Sequence, residues 1–584
     1  MAIESSYGRT RQRARLVKCG ALAASATAML AAVPAAGAHT FAPGQGPHRI
    51  GSNWERLEPG SLAISGTVYP RTGAGFVAVG QNLPYANNYS ASLDPEPTTD
   101  PGYPTAVANG QYPYVFNNAS ADPSFGVSTP IDLFDVSLWG QPLGVIHVPT
   151  SGMTTSFESK SELALNVSTN GQDLSFLGYD APVGTLDASN SNTPGVFDTT
   201  NPDLTGENSA LTAGGIYRVA GNLSSDGQWT FTDTNAYSGD NGRAALLENT
   251  GGLDDFVTAG NDNNGNTGKK DYPTVPVNLV DATGAQTFAQ SFAAQGTQTP
   301  GAPSQLATFS ITQLGDAADK PGKDMNFRGL TEFDNVVYYT KGSGSNGVNT
   351  VYFVDTTGTA CANGVGLPAP GAPAPTPGTT YQLCILKGFN TQLASTDTND
   401  FPFGLWFANN DTLYVADEGS GNFDTSTDPA NDPYQDAQNE VGNGYTGLQK
   451  WTFNGTEWVK DYTIQNGLNL GQPYTVPGYP TGDNTGAGGT DEPWAPATDG
   501  LRNISGHVND DGTVTIYATT STVSGSGDQG GDPNQVVAVT DRLGGDTLSP
   551  FERFRAIAPA RFGVRYGGVA VLPGDFGVEH HGFG

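Results

Sequence analysis

Short apolar segments alternate with polar residues and turn signals along the chain. In FPFGLWFANNDTLYVADEGSG, residues 401–421, one alternating stretch ends at an Asn-Asn-Asp corner and a second begins at Leu413. Alternation with a period of two indicates strands, and the corner indicates a hairpin turn. Similar segments recur at spacings of 68 to 96 residues and give six starts: Leu163, Leu246, Leu330, Leu405, Leu501 and Val569. The pattern predicts a loose structural repeat with long insertions.

Hairpin signals also lie inside these repeats. Four dipeptides sit between apolar or β-prone runs: Asn170-Gly171, Asp226-Gly227, Asn454-Gly455 and Asp511-Gly512. Asn-Gly and Asp-Gly accept the positive φ angles that a two-residue hairpin needs. Helical signal is scarce, and TFAQSFAAQG, residues 287–296, is the best helix candidate.

Four-stranded units repeated around an axis make a β-propeller, in which each sheet is buried between its neighbours. We therefore predict an all-β single domain over residues 39–584 with six blades, or seven if the N-terminal strands form a blade of their own. The strand around Val569 and the strands that follow Ser61 are expected to share one blade, which closes the ring without an exposed sheet edge. A pair of β-sandwiches explains the strands and turns equally well, but not the similarity of the six starts.

The segment FPFGLWFANNDTLYVADEG resembles the repeat of NHL and SMP-30-like propellers, in which a Pro-x-Gly-Leu strand is followed by Leu-Tyr-Val-Ala-Asp. The resemblance covers about 20 residues. The acidic, repeat-built chain also looks like the calcium-dependent phytase-type propellers. The resemblance implies the fold, but no reaction and no ligand set, because such propellers include lactonases, other esterases and binding platforms.

Residues 1–38 have the features of an export signal. A basic head and an alanine-rich apolar stretch precede Ala36-Gly37-Ala38, after which the mature chain is expected to begin at His39. A membrane anchor is the alternative, although Pro34 interrupts the apolar stretch. Without this segment the net charge is near −35, which repels nucleic acid and anionic lipid. We predict a secreted protein, extracellular or periplasmic, without a nucleic-acid partner or stable membrane insertion.

Two cysteines remain in the mature chain, Cys361 and Cys384. An even pair in an exported protein predicts a disulfide. Closing the loop around GLPAPGAPAPTPG would contribute roughly 3 kcal/mol to stability.

Five basic residues lie close to the starts of the repeats: Lys160, Arg243, Arg328, Arg502 and Arg565. At the start in FPFGL, Phe403 takes the comparable place. The first strand of each blade lines the channel of a propeller, so these side chains are expected to converge on one mouth. There they could bind the carboxylate or phosphate groups of an anionic small molecule or polymer. The alternative is that they form ion pairs between blades with Glu162, Glu248 and Glu332.

Oxygen-bearing side chains in turns are candidate calcium ligands. Asp417 and Glu418 end a predicted strand, and Asp262 and Asn264 lie in NDNNGN, residues 261–266. Residues 510–512 form a similar acidic turn. None of them matches the twelve-residue calcium loop, and Asp, Asn and Gly are also the ordinary turn formers, so turn chemistry alone is the favoured explanation at each single segment.

Signals for catalysis are weak. The sequence contains no G-x-S-x-G, no H-E-x-x-H and no phosphate-binding loop. His147 is predicted at a partly buried strand face, and His507 could act as a base only if it faces the channel. The sequence favours a binding protein for a small molecule or polymer at the channel mouth. The alternative is a metal-assisted hydrolase of a lactone, ester or phosphate ester, which would need three or four oxygen ligands at that mouth.

Overall fold

The computed structural model describes most of the chain between residues 56 and 576. The described ranges are 56–69, 76–81, 83, 108, 112–116, 126–157, 159, 161–194, 196, 215–250, 254–261, 283–291, 300–318, 324–397, 399–423, 432–485, 490–526 and 529–576. All of them belong to one compact unit, Asn53–Gly584. The predicted export signal lies outside the described residues. Among the helices in the described ranges, none has the length and apolar content needed to cross a bilayer.

The two ends of the described chain meet in one four-stranded sheet, the closing blade. Its strands, numbered along the chain and given from the axis outward, are β28 (Val564–Val571), β1 (Leu62–Val68), β3 (Ile131–Val136) and β4 (Pro142–His147). β1 runs antiparallel to β28, with Ile64 opposite Val569. The predicted closure of the ring by both chain ends is confirmed.

Five further blades complete a six-bladed propeller. Each contains four antiparallel strands in chain order. From the axis outward, blade 2 contains β6 (Asn166–Val167), β7 (Asp173–Tyr179), β8 (Arg218–Ser224) and β9 (Trp229–Thr234), and blade 3 contains β10 (Gly242–Glu248), β11 (Asp255–Gly260), β12 (Ala285–Ala289) and β13 (Ser304–Gln305). Blade 4 contains β15 (Leu330–Phe333), β16 (Val336–Lys341), β17 (Thr350–Asp355) and β19 (Tyr381–Leu386), and blade 5 contains β20 (Pro402–Asn409), β21 (Thr412–Asp417), β22 (Gly447–Phe453) and β23 (Trp458–Ile464). Blade 6 contains β24 (Ala497–Val508), β25 (Thr513–Val523), β26 (Val536–Arg542) and β27 (Arg555–Ala558). The count of six is confirmed.

The remaining elements of the described chain are short. β2 (Val127–Thr129) pairs with β5 (Thr155–Phe157), while β14 (Ala307–Thr308) and β18 (Val365–Gly366) pair in parallel with β19. One α-helix, α1 (Gln435–Asn439), lies in the connection between β21 and β22. The 3₁₀ helices are Tyr114–Phe116, Ala188–Asn190, Ile311–Leu314 and Gln529–Gly531.

The predicted hairpins form at all four Asn-Gly and Asp-Gly sites. Each glycine takes a positive φ between two paired strands: Gly171 at +75°, Gly227 at +86°, Gly455 at +92° and Gly512 at +81°. The helix candidate at 287–296 is wrong over its first residues, which belong to β12. Phe288 of this strand is 3% exposed and pairs with Phe256 of β11, so burial within the sheet outweighs the local helical preference.

Glycines at the strand starts let neighbouring blades approach closely at the axis. A Cβ atom on Gly404, in the FPFGL segment, would lie 2.4 Å from the main-chain oxygen of Arg502 in blade 6. A Cβ on Gly329 would lie 2.0 Å from the main-chain oxygen of Phe403 in blade 5. Both distances are shorter than van der Waals contact, so a side chain at either position would force the blades apart. The glycine of the repeat therefore reflects the packing of blades around the axis.

A disulfide ties the outer part of blade 4. Cys361 and Cys384 are bonded, with Cα atoms 5.4 Å apart, and Cys384 lies fully buried in β19. The predicted pairing is confirmed. The bond closes the loop that contains the proline-rich segment and holds it next to β18, which covers the outer edge of β19.

Removing this bond should lower stability without changing the fold. In the variant Cys361→Ala/Cys384→Ala we expect the free energy of unfolding to fall by roughly 3 kcal/mol, because the unfolded chain regains the entropy of an open loop. Denaturant unfolding of the variant and wild type, each with and without reductant, measures the change. Equal midpoints for oxidised and reduced wild-type protein would contradict a stabilising role.

Candidate functional site

The innermost strands place two groups of polar side chains along the propeller axis. Neighbouring innermost strands run parallel, as the bridge between Ala164 and Ala244 shows for blades 2 and 3. Residues at equivalent positions therefore meet at the same height on the axis. An arginine cluster lies at the strand starts, and a cavity begins directly beyond it.

Four of the five predicted basic residues belong to this arginine cluster: Arg243, Arg328, Arg502 and Arg565. The fifth, Lys160, lies outside the described residues. All four arginines are buried, with exposed fractions of 2% to 7%. Phe403 occupies the place at which blade 5 lacks a basic residue, and the guanidinium of Arg328 lies 5.8 Å from the centre of its ring.

Protein groups hold the guanidinium groups in place. Arg243 donates to the main-chain oxygen of Phe327 at 2.6 Å and to the side chain of Asn326. Arg328 donates to Ser161 Oγ at 2.6 Å, a contact that joins blade 4 to the start of blade 2. Its Nε also donates to Ser343 Oγ at 3.1 Å.

Carboxylates balance part of this positive charge. Arg502 Nε donates to Glu418 Oε2 at 3.2 Å, and both side chains are buried. Burial raises the pKa of Glu162, and the charge of Arg565 opposes that rise. Of the three acidic partners expected from the sequence, Glu162 alone faces the arginine cluster, because Glu248 and Glu332 contact each other instead.

Burial and repulsion between neighbouring arginines lower the pKa values of two members of the cluster. Burial, followed by the charge of Arg328, lowers the pKa of Arg243 to about 9. Burial also lowers the pKa of Arg328. At neutral pH Arg243 still carries its charge, since a pKa of about 9 lies well above 7. The cluster can attract anions electrostatically, and its direct contact with a ligand stays a prediction.

The predicted calcium ligands have other partners where they are described. Asp417 accepts hydrogen bonds from the main-chain nitrogens of Phe401 at 2.7 Å and Gly419 at 3.0 Å, and Glu418 pairs with Arg502. Asp262 and Asn264 lie outside the described residues. In the acidic turn 510–512, Asp511 accepts a hydrogen bond from Thr513 Oγ1 at 2.6 Å, which is ordinary turn chemistry.

Asp355, Cys361 and Cys384 also bring together atoms of the kind that bind metals, namely a carboxylate oxygen and two sulfurs. Both sulfurs belong to the disulfide, so this group offers no thiolate to a metal.

An axial cavity of about 440 Å³ begins directly beyond the arginine cluster. Gly329, Gly404 and Asn503 line it, and each follows a member of the cluster or Phe403 in sequence. All six innermost strands contribute to its wall. Its polar and aromatic lining residues in the described chain include Asn166, Ser168, Thr169, Thr331, Glu332, Asp334, Asn335, Trp406, Asn503 and Ser505.

A carboxyl pair forms one side of this cavity. Glu332 lines the cavity, and Glu248, which is 4% exposed, lies behind it within hydrogen-bond contact. Burial and the charge of Glu248 raise the pKa of Glu332 to about 9. Two carboxyl groups in contact do not both ionise readily, so at neutral pH the pair retains one proton.

No family model matches the chain, and no curated protein matches it. Among solved structures, the chain is similar to a polysaccharide lyase, an ulvanlyase bound to -[GlcA(1-4)Rha3S]-. The match has 12% identity and a TM-score of 0.26, and it covers 85% of this chain and 98% of that chain.

The two internal histidines lie outside the axial cavity. His147 lies in a strand as predicted, but its predicted partial burial is wrong: the side chain is 78% exposed, at the end of the outer strand β4, where Nδ1 contacts Asp132 Oδ1 at 2.7 Å. His507 is exposed near the end of β24 and does not line the cavity. Sequence reasoning missed Trp406 and Asn503, although both follow the recurring strand start by one or two residues.

The carboxyl pair should make stability depend on pH. The folded chain holds a proton on Glu332 up to a pH of about 9, whereas the unfolded chain releases it near pH 4.5. The free energy of unfolding therefore falls as the pH rises from about 4.5 to about 9, because the folded state has to keep or lose this proton at a cost that the unfolded state does not have. In Glu332→Gln we expect a flatter pH dependence over this range and a gain in stability over wild type at pH 9.

Urea unfolding at pH 5, 7 and 9 measures this effect. Glu457→Gln is the matched control, because Glu457 is exposed in the turn between β22 and β23. If Glu332→Gln and Glu457→Gln show the same pH dependence, the carboxyl pair does not hold the proton.

Proposed function

We propose that the protein is an exported binding protein that holds a small polar molecule, or the end of a polar polymer, in the axial cavity. The observation that carries this proposal is a cavity of about 440 Å³ on the axis, with walls contributed by all six blades. This volume falls within the range of small-molecule sites, roughly 300 to 1,000 Å³. A plain scaffold would be expected to have a plugged or apolar channel instead.

The lining chemistry favours an uncharged or cationic ligand with hydrogen-bond donors. Among the described lining residues there is no Lys, Arg or His, whereas Glu332 and Asp334 carry carboxyl groups. The amides of Asn166 and Asn503 supply both donors and acceptors. These groups suit hydroxyl or ammonium groups, and they differ from the anionic ligand that the arginine cluster predicts.

Trp406 gives the cavity an apolar face. A Cβ on Gly506 would lie 2.5 Å from the indole ring, so this glycine allows the ring to lie against β24. A flat aromatic surface beside amide and carboxyl groups matches a molecule with one apolar face and several hydroxyl groups, such as a neutral saccharide. The disulfide supports an oxidising compartment, in agreement with export.

A ligand panel with variants of the cavity tests the proposal. Wild-type protein would be titrated by calorimetry with neutral oligosaccharides, polyamines and uronate oligosaccharides. We expect binding of a neutral or cationic member, weakened about five-fold or more, or ~1 kcal/mol, in Trp406→Phe and in Glu332→Gln. Trp139→Phe and Glu457→Gln are the matched controls, because both residues are exposed and lie outside the cavity wall.

Three results would contradict the proposal. The first is a ligand that binds wild type and both cavity variants equally. The second is binding of uronates alone, retained in Trp406→Phe and lost in Arg328→Lys, which would place the site at the arginine cluster. The third is the absence of binding by every panel member at millimolar concentration.

A further inference from the structure

The turn after β21, residues 417–421, gathers buried carboxylates from three segments of the chain. Its three successive main-chain nitrogens each donate to a different carboxylate. Gly419 N donates to Asp417 Oδ1 at 3.0 Å, Ser420 N to Glu440 Oε1 at 2.8 Å, and Gly421 N to Asp499 Oδ2 at 2.8 Å. Glu440 follows α1 in blade 5, whereas Asp499 lies in β24 of blade 6. The turn therefore joins the two blades through acidic side chains.

Glu440 and Asp499 each keep one carboxylate oxygen without a hydrogen-bond partner in the described chain. These atoms are Glu440 Oε2 and Asp499 Oδ1, and both are buried. The residues are 8% and 1% exposed, so bulk water does not solvate them. Buried polar atoms are nearly always paired, and a buried charge without a partner costs several kcal/mol. The two oxygens therefore point to a group that supplies positive charge.

Gly419 brings the two carboxylates together. A Cβ atom on this residue would lie 2.5 Å from Asp499 Oδ2 and 2.8 Å from Glu440 Oε2, so both side chains pack against the same face of its main chain. Its φ of +80° also favours glycine.

Nearby acidic residues already interact with protein cations. Glu418 pairs with Arg502, and the charge of Lys460 acts on both Asp400 and Asp417. Arg502 gives its Nε–H to Glu418 and its charge also acts on Asp499, where the charges of Glu440 and Glu418 oppose it. Glu440 accepts from the main chain of Ser420 and interacts with the hydroxyls of Ser420 and Thr446, which are neutral donors. An added cation would therefore have its most favourable electrostatic interaction, within the acidic turn, with Glu440 and Asp499.

We propose that Glu440 and Asp499 bind a divalent cation of the calcium type that joins blade 5 to blade 6. Carboxylate and main-chain oxygens are the ligands that Ca²⁺ takes, and its variable coordination suits a set drawn from separate segments. The site lies beside Asp417 and Glu418, the residues that the sequence marks as calcium ligands, but uses different side chains. It is independent of ligand binding in the axial cavity.

Thermal unfolding of the full-length protein in calcium and in chelator tests this site. Binding to the folded state raises the unfolding temperature in proportion to the logarithm of the calcium concentration once the site is saturated. We expect this rise in wild type, a smaller rise with magnesium, and none in Glu440→Gln/Asp499→Asn. The control Asp411→Asn/Glu457→Gln removes the same number of charges from exposed positions and should respond like wild type.

Equilibrium dialysis at 25 °C with calcium alone gives an independent measurement, and the single variant Glu440→Gln serves if the double variant does not fold. We expect wild type to bind one more calcium ion than the variant. Coincident melting curves in calcium and chelator, with no bound calcium, would overturn the proposal and leave a proton shared by Glu440 and Asp499. Calcium stabilisation that persists in the variant would also overturn it, because the ion would then lie elsewhere.

Discussion

The antiparallel pairing of β1 with β28 is the contact on which the rest of the structure depends. A propeller whose first and last strands belong to different blades would leave two open sheet edges and one unsupported interface between blades. Here β1 lies between β28 and β3, so the N-terminal strand is paired on both sides. The pairing fixes β28 as the innermost strand of the closing blade, and with it the position of Arg565 and the last side of the axial cavity.

Closure of the ring has an electrostatic consequence along the axis. Innermost strands that approach closely enough to require Gly329 and Gly404 leave little water between them. Charged residues at the strand starts must therefore find partners within the protein, as Arg328 does at Ser161 and Arg502 does at Glu418. Beyond these residues the strands leave room, and uncharged amides, Asp334 and the carboxyl pair with its one retained proton line the space. The axis is thus divided into a closed layer rich in arginine and a polar cavity whose ionisable groups are carboxyls.

Local signals in the sequence predicted most of the fold. The six starts, the Asn-Gly and Asp-Gly turns and the shared closing blade all arise from patterns a few residues long. The contact between Glu248 and Glu332 could not be predicted, because it joins two blades through residues 84 positions apart in sequence. The same holds for Glu440 and Asp499, which meet through the turn after β21. The strand over 285–289 and the exposed position of His147 were mispredicted, since both depend on which sheet layer a segment occupies.

Native-state hydrogen exchange of the β1 amides tests the closed ring most directly. Because β1 is paired on both sides, we expect the amides of Ser65 and Thr67 to exchange only through global unfolding, with protection equal to that of central strands such as β7 and β25. Exchange of these amides at the rate of an unpaired edge, while β7 stays protected, would contradict closure by the two chain ends.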